Sequence, residues 1–160
     1  MWSKNVVACL PLIIFAAANS MVAQTTAPTL VGAWEFTATP ESGADAPAPS
    51  LDGLATFTSD STVVETDTMS ILGRVSPGHG IWQRGPIPGG YFFVRFMNLR
   101  PNPNGTLHAK QTVTMFLTLN STGDQFSGTY EIQLVNASGD TISTSGGTVN
   151  GKLIAHPLLP

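Results

Sequence analysis

The sequence predicts an all-β protein, an eight-stranded antiparallel up-and-down β-barrel, with a two-sheet β-sandwich as the runner-up. Three observations lead there. The chain is poor in charge (11% Asp, Glu, Lys and Arg) and rich in Thr, Ser, Gly and Pro, a composition that favours β structure with frequent turns over disorder. Apolar and polar residues alternate with period two in segment after segment, whereas no window longer than about ten residues keeps a helical period. Strong turn signals separate those segments at short intervals.

The first 23 residues stand apart. Met1 to Lys4 carry one positive charge, Val6 to Ala18 is apolar, and small residues follow at Ala18–Ser20 and Met21–Ala23. The apolar run is short for a bilayer span and has the form of a secretory signal peptide. Residues 24–29 then form an N-terminal extension, 30–155 the barrel domain and 156–160 a C-terminal tail. The expected location is secreted or periplasmic, with no membrane span. The only cysteine, Cys9, lies within the signal, so the processed chain has no thiol for a disulfide, a nucleophile or a zinc-thiolate site.

Strands are expected at 30–39, 53–58, 62–68, 80–84, 91–99, 106–119, 125–135 and 141–154. The clearest is QFSGTYEIQLV (125–135), where Phe126, Gly128, Tyr130, Ile132 and Leu134 share one face. In 112–119 Val113, Met115, Leu117 and Leu119 share a face, with Phe116 as an exception on the other. Between the strands lie Ser59-Asp60, GPIPGG (85–90), NPNG (102–105), NSTGD (120–124) and NASGD (136–140). Short links make sequence neighbours pair as a meander, and closing the sheet removes its two exposed edges.

A meander puts alternate loops at one end. The two longest, 40–50 and 69–79, share an end that is then the expected mouth, with 40–50 as its lid. SPGHGIWQR (76–84) delivers the chain into the fourth strand, with His79 at the rim. Arg74, His79, Arg100 and Lys110 are expected to frame that rim. Charge is segregated as well: residues 24–67 hold seven acids and no Lys or Arg, whereas 68–123 hold five Lys or Arg and no acid. A basic rim that receives the head group of an anionic amphiphile is one reading; simple complementarity between an acidic lid and a basic rim is the other. The overall net charge of -3 argues against nucleic acid as a partner.

Gly32-Ala33-Trp34 is a G-x-W at the start of the first strand. With the signal segment, the eight-strand meander and the long first loop, it resembles the lipocalin/calycin superfamily. The resemblance implies a barrel whose floor Trp34 closes, beneath an arginine from the last strand. Here the last strand offers Lys152 instead, while Arg84 maps to the same end, and LIAHPLLP leaves no room for the usual following helix. S-P-G-H-G-x-W (76–82) and TFTSDSTVVET (56–66) also resemble a group of small secreted bacterial proteins of unassigned activity.

The expected function is binding of a small apolar or amphipathic molecule by a monomeric barrel. Trp34, Phe36, Trp82, Val113, Met115, Leu117, Tyr130 and Ile132 would line the interior. Trp82 is placed either in the upper cavity or out over the sheet. The first alternative is a barrel isomerase or cyclase of the allene oxide cyclase type, with Glu65 and Asp67 as a carboxylate pair two residues apart on one strand face. Solvent exposure or pairing with arginines is the favoured reading of that pair. The second alternative is a non-catalytic surface-interaction barrel, because YFFVRFM (91–97) is apolar on both faces. His79, His108 and His156 have no metal-ligand spacing, so no metal or cofactor is expected; a haem barrel would need His108 inside. Asn104, Asn120 and Asn136 begin N-x-S/T sequons, all within turns.

Overall fold

A computed structural model describes residues 28–41, 49–86 and 90–154. The expected signal peptide, most of the lid and the C-terminal tail lie outside those residues. Eight strands form one closed antiparallel barrel in sequence order. They are β1 (Gly32–Pro40), β2 (Leu51–Phe57), β3 (Thr62–Asp67), β4 (Gly78–Arg84), β5 (Phe92–Pro101), β6 (Leu107–Leu119), β7 (Gln125–Asn136) and β8 (Thr141–Leu153). The expected boundaries hold to within about two residues, the usual scatter of strand ends.

Closure comes from β1 pairing with β8, Trp34 opposite Leu153 and Pro40 opposite Gly147. The pairing row that starts at Ala33 passes through Thr56, Val64, His79, Met97, Thr112 and Gln133 to Thr144. Ala33 itself meets Ile154, whose N–H donates to the Ala33 carbonyl at 2.8 Å. The sheet is therefore staggered by ten residues on closing. Stagger of this size tilts the strands by about 40° and leaves an eight-strand interior just wide enough for side chains or one small ligand.

Three of the hairpin turns repeat one device. Asn102, Asn120 and Asn136 each accept a backbone bond from the glycine three residues on, and Gly105, Gly123 and Gly139 have φ of 82°, 75° and 97°. That left-handed conformation suits glycine, and it turns the chain tightly enough to pair the flanking strands.

One element departs from expectation. Thr68–Ile71 forms a single helical turn, α1, just after β3. Asp67 caps it, its carboxylate accepting from the Ser70 N–H at 2.8 Å and the Ser70 hydroxyl at 3.0 Å. A turn this short leaves no periodic trace in sequence.

Inward residues build one continuous core from floor to mouth, including Trp34, Phe57, Trp82, Phe92, Phe96, Met115, Phe126 and Tyr130. The floor is aromatic. Trp34 packs on Phe126 with centroids 5.2 Å apart, and Trp82 sits 6.3 Å from Phe57 and 6.0 Å from Phe92. Both indoles satisfy their N–H on backbone carbonyls, Trp34 at Leu30 (2.8 Å) and Trp82 at Thr58 (3.0 Å). Leu30, fully buried, is part of the same cluster. Arg84 lays its guanidinium over Phe92 at 4.7 Å and donates to the Pro28 carbonyl. A cation–π contact thus closes the floor from β4.

Candidate functional site

Above the aromatic floor the lining turns polar. Glu65 on β3, Asn98 on β5 and Gln111 on β6 point inward and are buried, as is Asp67 at the end of β3. Their neighbours along each strand follow strict alternation: Val64 and Met97 are exposed, Val63 and Phe96 buried. Inward carboxylates correct the expectation of exposure or arginine pairing. Both strand faces of β3 look equally apolar in sequence, and the partners that make burial of Glu65 tolerable come from distant parts of the chain.

Those partners are specific. Asn98 Nδ2 donates to Glu65 Oε2 at 3.2 Å and to the Ser76 carbonyl at 2.9 Å. Gly78 lies opposite Glu65 in the pairing of β3 with β4, and its backbone N–H favours the charged carboxylate. Ser76 is fixed on β5 from both sides, its N–H donating to the Leu99 carbonyl at 2.8 Å and its hydroxyl accepting from the Leu99 N–H at 2.9 Å. A side chain at Gly78 would put its Cβ 2.6 Å from Phe96 and 2.8 Å from Glu65 Oε2. Glycine at 78 is therefore the niche that admits the carboxyl group. Gly80 is equally constrained, since a Cβ there would lie 2.0 Å from the Arg95 carbonyl. The SPGHG segment thus builds a carboxyl niche, and its histidine is incidental to that role.

Burial pushes the Glu65 pKa up from 4.5 to about 7, and the negative charge of Asp67 adds to the rise. The bonds from Asn98 and Gly78 oppose it without cancelling it. Asn98 is only 1% exposed, and its Oδ1 has no hydrogen-bond partner among the described residues. A buried carbonyl acceptor left bare costs about 1–3 kcal/mol, so this atom is primed for a donor. Toward the mouth, half-buried Arg100 donates through Nε to Gln111 Oε1 at 2.9 Å.

The expected lining residues divide by height. Phe36, Val113, Met115, Leu117 and Tyr130 are buried in the core, and Ile132 packs against it half-buried. Trp34 closes the floor as expected. Trp82 also belongs to the floor cluster, which corrects both expected placements, in an upper cavity or out over the sheet: strand β4 begins at Gly78, and Trp82 lies four residues further toward the closed end. Of the expected rim, Arg100 leans into the mouth and Arg74 is exposed on the segment after α1. His79 and Lys110 are corrections. His79, the second residue of β4, follows buried Gly78, and Lys110 lies between buried Ala109 and Gln111; both side chains are exposed on the outer wall. His108 is exposed on the outside too, which removes the haem reading. Among the described residues no three His, Asp or Glu side chains gather as a metal-ligand group.

Two cavities flank the wall. One of about 590 Å³ runs along the outside of β8, β1, β2 and α1, past Glu35, Thr37, Asp52, Leu54, Ile71 and Lys152. A second of about 290 Å³ lies between Val75, Ser76, Leu99 and the β5–β6 turn. No family model matches the chain, and no curated protein matches it.

Proposed function

We propose that the chain is an exported barrel that binds one small apolar or amphipathic molecule in the mouth half of its interior. The observation that carries this reading is Asn98 Oδ1, buried, unpaired among the described residues and beside a carboxyl group that is about half protonated at neutral pH. A hydroxyl, amide or amine on the ligand would complete Asn98, while its apolar body displaces the side chains of Met115 and Ile132, which would have to repack. The eight-strand barrel supports the reading, since this size of barrel is one that can hold a single small ligand. The G-x-W likeness to lipocalins and the signal-like first 23 residues support it further.

The test has two parts. Solvent extraction of the secreted protein followed by mass spectrometry should recover a stoichiometric small molecule. Titration with an apolar fluorescent probe should saturate at one site, be blocked by Met115→Trp and weaken at least about tenfold in Asn98→Leu, the loss expected for one buried hydrogen bond. Absence of both a recovered molecule and saturable uptake overturns the proposal.

The raised Glu65 pKa favours one second reading, proton transfer on a bound substrate by an isomerase or cyclase. Glu65→Gln would then abolish turnover and leave probe binding intact.

A further inference from the structure

The acid-free stretch 68–123 contains three adjacent strands, β4, β5 and β6. Their shared outer face is unusual for a soluble wall. Ile81 is 57% exposed, Leu99 47%, Phe116 46% and Met97 44%, and these side chains lie on neighbouring pairing rows. Tyr91 and Phe93 each pack edge-on against Phe116 at 5.6 Å, which makes a rigid aromatic ridge on the outside. Exposed on the same face are Arg95 and Lys110, with His79 and His108 beside them. Contiguous apolar side chains of this size mark an interaction surface.

We propose that this face docks on an anionic lipid leaflet. Apolar and aromatic side chains interleaved with cations and no acid match a surface of acyl chains beneath negative head groups. A second copy of the chain fits less well. A two-fold pair would bring two copies of the same cationic face together. A head-to-tail pair, meeting the Glu35 and Asp52 side of the next barrel, would leave both faces free at the ends and grow without closing. A leaflet imposes neither difficulty. The net charge of -3 is no obstacle: exposed Glu131 on β7, opposite Thr114, borders the face and offsets part of its charge, while β4, β5 and β6 themselves carry cations and no acid. Docking here is independent of any ligand inside the barrel.

The experiment is co-sedimentation of the secreted chain with phosphatidylcholine vesicles, with and without phosphatidylglycerol. Binding should require phosphatidylglycerol and fall as salt rises. Neutralising one cation should weaken it about fivefold, and Arg95→Glu with Lys110→Glu more than tenfold. Phe116→Ser should weaken it as well, and Asn98→Leu should leave it unchanged. The positions to be changed on this face are exposed, and the salt dependence of the unaltered chain tests the idea without any variant. No partition into anionic vesicles overturns it, as does binding indifferent to charge reversal. Self-association that the same reversals abolish would overturn it in favour of a second copy.

Discussion

Glu65 is the residue whose environment has the plainest thermodynamic signature. Its folded pKa of about 7 lies above the 4.5 of an unperturbed glutamate. Between those values the unfolded chain releases a proton that the folded chain keeps. The Glu65 contribution to stability is therefore full below about pH 4.5 and is lost as pH rises through 7, by at most about 3 kcal/mol. Thermal melts from about pH 5 to about pH 8 should show this decline, and Glu65→Gln should flatten it; an unchanged slope in the variant would place the titration elsewhere. Gly78→Ala should cost about 2–4 kcal/mol in chemical unfolding, since its methyl must displace Phe96 or the carboxyl group. Little of this was legible in sequence. Val63, Glu65 and Asp67 alternate with Val64, Thr66 and Thr68, so periodicity cannot choose the buried face. The choice is made by Asn98 and Gly78, which lie far along the chain and meet Glu65 only once three strands are paired. His79 and Lys110 were misplaced for a related reason. Loop position gives the end of the barrel but not the side of the wall.

Elements were far more legible than residues, because alternation, turn chemistry and short links all favour the same meander. QFSGTYEIQLV shows every expected inward residue inside or half-buried, and Phe116 is the outward exception its pattern indicates. The N-x-x-G turns could be read directly, since a left-handed glycine is what the hairpin geometry needs. The Asn104, Asn120 and Asn136 side chains serve those turns, accepting backbone N–H groups two to five residues on. Two elements escaped. One is α1, held by its cap; Asp67→Ala should lower the melting free energy by about 1 kcal/mol, the worth of an N-cap, with a larger loss pointing to a further role inside the mouth. The other is the strap at 28–31, which the sequence reading divides between the 24–29 extension and the first strand; it lies ahead of β1 and buries Leu30 under the floor. Leu30→Ala should cost about 2–4 kcal/mol by urea denaturation, and a loss below about 1 kcal/mol would show that the strap is not part of the core.

At the scale of the molecule, barrel closure leaves both described chain ends at the floor. Ile154 bonds to Ala33, and the Leu153 N–H reaches the Asp124 carbonyl at 2.9 Å. A circular permutant that joins the region after 154 to that before 28, and opens the chain in the Asn136–Asp140 turn, should retain the fold. Far-ultraviolet dichroism and a single cooperative melt would check it; a permutant that folds without β1–β8 pairing would show that closure is dispensable. The same closure separates the two proposals in space. The interior site is built by β3, β5 and β6 from within, and the lipid-facing wall by β4, β5 and β6 from outside, so β5 and β6 each serve both by alternate residues. Asn98 faces in, while Met97 and Leu99 face out.

The shared floor also sets how the protein answers to force. β1 and β8 run antiparallel with their outer ends side by side, so tension applied at residues 28 and 154 opens their hydrogen bonds one after another, as a zipper. Handles at 40 and 154 would instead load the same bonds all at once along the strand direction. Single-molecule stretching should find the first geometry yielding at much lower force than the second.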